Sequence, residues 1–145
     1  PGGLMKIGLY SELARQHIVE ARKEIASLGL GTSEAEIRNF RELSRESENH
    51  DVKQLSTFSD FFSLSEFRDL IFHVQEHRFT LPQIKNCLNE LGLKFCGFEN
   101  EAAASNFREL YGNEADIYDL ELWHQYEERK PQAFVGMYQF WCQKP

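Results

Sequence analysis

Nowhere in these 145 residues does an apolar run approach the ~20 residues that a membrane-spanning helix requires, so no membrane span is expected. Positive charge is also in short supply. The chain sets 16 Lys and Arg against 23 Asp and Glu, a net charge of −7, and its bases form no stripe. That balance argues against a nucleic-acid partner, because phosphate contacts need clustered cations. Cysteine is scarce and odd in number. Cys87, Cys96 and Cys142 include no C-x-x-C pair, which gives little basis for a disulfide framework or a thiolate metal site and predicts reduced, buried thiols. The first residues lack a basic stretch followed by an apolar core and a small-residue cleavage site, so a cytoplasmic location is the expectation. Internal repeats at a period of roughly 20–50 residues are absent too, as is any low-complexity tract.

What remains is the composition of an ordinary globular domain. Hydrophobic residues make up 41% and charged residues 27%, with a mean hydropathy of −0.52, and the length suits one domain over residues 1–145. The chain opens on Pro1-Gly2-Gly3 and runs at once into Leu4-Met5-Lys6-Ile7-Gly8-Leu9-Tyr10, a turn followed by an apolar segment bounded by polar Ser11-Glu12. Such a run predicts a strand buried on both faces of a parallel sheet, an interior ribbon that needs neighbours. Two later segments can supply them, Leu93 to Phe98 and Phe134 to Trp141. The fold class expected is therefore α/β: a helix-rich chain with a small, mixed, three-stranded sheet.

Helix punctuation is dense. Ser11 is read as the cap of a helix carrying Leu13, His17, Ala21, Ile25 and Leu28 on one stripe, with Gly29-Leu30-Gly31 as its stop. Ser33-x-x-Glu36, Ser63-x-x-Glu66 and Thr80-x-x-Gln83 have the capping-box form, and Pro82 falls in the first turn of the third of these helices. The polar run from Ser44 to Asp51 reads as a frayed helix end or a surface loop, carrying His50 into solvent. The second capped helix is expected to carry Phe67, Leu70, Ile71 and Val74 on its apolar face. Residues of about 32–77 then form a helical insertion, too large for a simple strand-to-helix connection. Asn100 is placed to cap a helix to Tyr111, and another is expected near Ile117 to Arg129 with Leu120, Trp123 and Tyr126 inward. Phe58, Phe61, Phe62, Phe67 and Phe72 are read as core, as are Trp123 and Trp141, because aromatics at these spacings usually pack.

Two constellations carry chemistry. His73-Val74-Gln75-Glu76-His77 has the H-x-x-E-H form, which on one helix face presents two imidazoles and a carboxylate, the arrangement of one class of zinc hydrolases. No third ligand is evident, so no metal is assigned, and the run is read as a polar helix end or, with Arg78, as a face toward a substrate cleft. Ligands of open α/β sheets bind beyond the carboxyl ends of the strands, which directs Tyr10, Ser11 and Glu12 toward the same cleft. Substrate-binding candidates are thus Tyr10, Glu12, His73, Glu76, His77 and Arg78, and no catalytic residue is assigned.

The order of elements, with Pro1-Gly2-Gly3-Leu4 before the first strand, Leu91-Gly92-Leu93 before the second and Val135 to Gln143 at the end, resembles the second half of a class I S-adenosylmethionine-dependent methyltransferase, a Rossmann-like domain. In that family a Pro-Gly-Gly turn leads into the fifth strand, a later helix ending in Gly leads into the sixth, and the seventh lies antiparallel between them. The phrases Gly8 to Arg15, His73 to Pro82 and Gly136 to Trp141 look more narrowly like bacterial methyltransferases that often carry tetratricopeptide repeats. The resemblance implies methyl transfer from adenosylmethionine to a protein or small-molecule acceptor in the intact enzyme. A glycine-rich turn after a first strand and an acid after a later one, which would hold the donor, are missing, so this chain alone is expected to bind no cofactor. Its partner would then be the missing N-terminal half. A rival reading is a non-catalytic regulatory module that pairs through the exposed edge of Leu4 to Tyr10, as a homodimer or with another chain. A third is a small zinc hydrolase built on the H-x-x-E-H run.

Overall fold

The computed structural model describes residues 2–73 and 75–145. Pro1 of the opening turn and Val74, expected on the apolar face of a helix, lie outside the described residues. In chain order the elements are β1 (Leu4–Ser11), α1 (Gln16–Ser27), α2 (Glu34–Glu46), α3 (His50–Gln54), α4 (Leu64–Phe72), β2 (Arg78–Phe79), α5 (Leu81–Glu90), β3 (Lys94–Phe98), α6 (Glu101–Tyr111), α7 (Leu120–Arg129) and β4 (Tyr138–Gln143), with short 3-10 turns between α3 and α4 and before β4. They form two compact units, one made of the residues up to Ala14 together with His77–Pro145, the other of Arg15–Glu76.

The first unit is built on a mixed sheet of four strands in the order β2-β1-β4-β3, not the three expected. The additional strand, β2, pairs parallel to the end of β1, with Tyr10 opposite Arg78 and Ser11 opposite Phe79. The main neighbour of β1 is β4, antiparallel from Leu4 opposite Gln143 to Leu9 opposite Tyr138, and β4 is antiparallel to β3 as well. In β4 the alternation is clean: Tyr138, Phe140 and Cys142 are buried while Gln139 and Trp141 are exposed. Gly97, at φ +111°, sits in an irregularity that adds one residue to β3 between Phe95 and Phe98, so both rings meet at 5.1 Å in the core.

That arrangement corrects the expectation of a strand buried on both faces. Leu4 is 63% and Met5 48% exposed, and as neighbours in a strand they point to opposite faces, so neither face is covered at the start of β1. Trp141, read as a packing residue, is 38% exposed, on the face of β4 opposite the buried Phe140 and Cys142. The covered face carries Leu81, Ile84 and Leu88 of α5, Phe107 of α6, and Trp123 and Tyr126 of α7, with Phe107 stacked on Trp123 at 4.2 Å. Of the three free cysteines only Cys142 is buried. Burial pushes its thiol above the ordinary range, whereas Cys96 is half-buried and Cys87 exposed.

The second unit has its own core of Ile18, Ala21 and Ile25 from α1, Ile37 and Phe40 from α2, Val52 from α3, and Phe67 and Ile71 from α4, closed by Leu55 and Phe61. Ser33 and Glu36 form the full reciprocal box that starts α2, and Ser63 accepts from the Glu66 N–H at the start of α4. The helix α2 continues to Glu46 and α3 starts at His50, so the polar run holds the end of one helix, a short loop at 47–49 and the start of the next, with His50 exposed. Phe61 and Phe67 are fully buried, but Phe62 is exposed and Phe58 stacks on His17 at 4.8 Å. Ser11 does not cap α1. That helix begins at Gln16 without a side-chain cap, and Ser11 ends a strand instead.

Candidate functional site

The carboxyl end of β1 gathers the polar side chains of the first unit. Parallel pairing sets Tyr10 beside Arg78, and one residue on, the Glu12 N–H donates to the Phe79 carbonyl at 2.9 Å. This continuation of the ladder brings the Glu12 carboxylate to the Arg78 guanidinium, whose Nε–H donates to Oε2 at 3.0 Å. Both side chains keep partial contact with solvent. Because β4 runs antiparallel, its first residue, Tyr138, lies at the same end of the sheet.

Beneath this pair is a closed polar network. Glu127, on the inward stripe of α7, is fully buried, and the Ser11 hydroxyl donates to its Oε1 while the Tyr138 hydroxyl donates to its Oε2 at 2.5 Å. Ser11 Oγ in turn accepts from the Ala14 N–H at 3.0 Å. Removal from water disfavours the carboxylate and raises the Glu127 pKa; the Ser11 and Tyr138 donors and His124, one turn earlier on α7, pull against that rise. Tyr138 is raised as well, by burial first and by the neighbouring Glu127 next. Chemically the network can hold a proton at a dry carboxyl shared among three elements, and it fixes the point at which the chain leaves β1.

The six residues singled out in the sequence divide between the two units. Tyr10, Glu12 and Arg78 are brought together as described, whereas His77, adjacent in the chain, is exposed. In the second unit α4 stops at Phe72, with His73 as its exposed C-cap. The described residues of the H-x-x-E-H run, His73, Gln75, Glu76 and His77, therefore lie beyond the helix, and among them no helical face of the kind a zinc hydrolase requires is formed. Among the described residues no group of three or more His, Cys, Asp or Glu side chains is arranged to hold a metal ion. Glu76 is engaged differently. Its nearly dry carboxylate receives Arg15 in a two-pronged contact at 3.2 and 2.6 Å and Arg22 at 3.3 Å. Arg22 also donates to the carbonyls of Leu70 and Ile71, satisfying the end of α4.

Glu127, Tyr138, Arg15 and Arg22 were not among the sequence candidates. Faint signals exist for two of these positions: an acid four residues after Trp123 on an apolar helical stripe, and an arginine seven residues after Arg15 on the same helix face. Among the described residues no helix is long and apolar enough to cross a membrane. Neither a protein-family model nor a curated protein matches the chain.

Proposed function

We propose that this chain is the C-terminal portion of a class I S-adenosylmethionine-dependent methyltransferase, supplying acceptor-side contacts and completing the sheet, with the donor site in the other half. The observation that carries this reading is the strand order around β4: the last strand lies antiparallel between β1 and β3, the relation that the resemblance implies for the seventh strand between the fifth and the sixth. A further parallel neighbour on the far side of β1, begun here by β2, agrees with a sheet that continues in that direction. Tyr10, Glu12 and Arg78 sit at the carboxyl end of β1, where an acceptor would approach. Their part in the reaction is alignment of the nucleophile with the activated methyl group. The test is methyl transfer by this chain joined to a donor-binding half: Glu12→Gln is expected to lower the rate by about tenfold or more with an unchanged melting temperature. Unchanged turnover removes Glu12 from the site, and tight, saturable adenosylmethionine binding to this chain alone overturns the division between halves.

A second reading, association through β1, draws on the edge of Leu4 to Leu9 that no strand covers among the described residues, with Leu4 and Met5 exposed along it. Light scattering separates the two, since a strict monomer at high concentration removes the self-pairing form.

A further inference from the structure

We propose that Glu127 is a positioning residue for the carboxyl end of β1, holding Ser11 against Tyr138 and thereby setting where Glu12 and Arg78 are presented to an acceptor. The inference rests on the functional reading above for the word acceptor, but its geometry does not. Three elements converge on one carboxyl group: β1 through the Ser11 hydroxyl, β4 through the Tyr138 hydroxyl at 2.5 Å, and α7, which carries Glu127 itself. Ser11 is also held from the other side by the Ala14 N–H, so its position is determined by both the turn that follows and the helix behind. Glu12 is the next residue, its N–H bound to Phe79 and its carboxylate to Arg78. A shift of Ser11 therefore moves the backbone that aims Glu12.

The bland alternative is a buried acid that merely fills space. It makes a different prediction, because a space-filling group needs neither both hydroxyl donors nor any influence on the surface pair. The charged and titratable groups that face Glu127 are Tyr138 from β4 and His124 from its own helix, with Glu12 acting on Tyr138 from the end of β1. Glu127 and Tyr138 are both fully buried and both bonded to Ser11 at the end of β1, and Glu127 is the one that ties this pair to α7.

The test uses this chain without a methyl donor, so it can fail while the methyltransferase reading stands, and the reverse. Side-chain and amide nuclear magnetic resonance follow the Arg78 Nε–H, whose acceptor is Glu12, and amide exchange at Glu12, with Phe95 of β3 as the reference in the same unit. In the parent protein the Arg78 Nε–H signal is expected to shift with pH in a step above the ordinary carboxylate range, and Glu127→Gln removes that step while the protein stays folded. Glu127→Ala is expected to accelerate exchange at Glu12 by roughly tenfold relative to Phe95, the loss of one charge-assisted hydrogen bond. If Glu127→Ala fails to fold, Tyr138→Phe, which keeps the ring and deletes one donor, serves for the same comparison. Equal acceleration at Glu12 and Phe95, or a pH step that survives in Glu127→Gln, overturns the proposal.

Discussion

Glu127 shows how one side chain ties remote parts of the chain together and makes stability depend on pH. Burial raises its pKa above the ordinary value of 4.5, so between that value and the folded one the native protein binds more protons than the unfolded chain. The sign follows from this difference: the contribution of Glu127 to stability is fully present below pH 4.5, declines as pH rises through the window, and is lost once the folded carboxyl has ionised. Glu127→Gln removes the titration and keeps a polar side chain of the same size, whose amide oxygen accepts from one of the two hydroxyls while its NH2 donates to the other. Melting temperatures measured in steps from pH 4 to 8 are expected to fall more steeply with rising pH for the parent than for the variant, and parallel curves would contradict this. None of this was legible in the sequence, because the Ser11 to Glu127 contact spans 116 residues. The Arg15 to Glu76 contact spans 61, and spacing along the chain carries no information about such pairs.

Elements were legible to the extent that their causes are local. Ser33 with Glu36, Ser63 with Glu66, Thr80 with Gln83, and Asn100 with the Ala103 N–H all lie three residues apart, and each reading of a helix start holds. At Thr80 the box is reciprocal, with the Gln83 side chain accepting the Thr80 N–H at 2.8 Å. Since α5 carries Leu81, Ile84 and Leu88 into the core, Thr80→Ala is expected to cost about 1 kcal/mol, and Thr80→Ser much less. Urea unfolding of the two variants measures the difference; equal losses would show that the threonine methyl group, not its oxygen, matters. Strands were less legible, for a physical reason. A two-residue strand such as Arg78–Phe79 has no period to detect, and the exposure of Leu4 and Met5 depends on which strand lies beside β1. The same holds for Ser11, whose type suits a helix cap but whose hydroxyl is engaged by Glu127.

At the scale of the molecule the 41% hydrophobic content is shared between two cores rather than concentrated in one. The helical unit begins at Arg15 and ends at Glu76, and these two residues are bonded to each other, so its entry and exit strands of chain are held together at one point. Each core is anchored by large rings with no solvent exposure, Phe40, Phe61 and Phe67 in the helical unit and Phe107, Trp123 and Tyr138 in the sheet unit. Truncating such a ring leaves a cavity that the surroundings fill only in part, so Phe40→Ala is expected to cost about 3–5 kcal/mol. If each unit draws its stability from its own core, that loss registers first in α1, α2 and α4. Hydrogen exchange followed by mass spectrometry is expected to show faster exchange in those helices for Phe40→Ala, and faster exchange in α7 and β4 for Trp123→Ala. Acceleration spread evenly over β4 and α2 in both variants would mean that the two cores fold as a single cooperative body, and that the clasp between Arg15 and Glu76 does not mark a boundary of cooperativity.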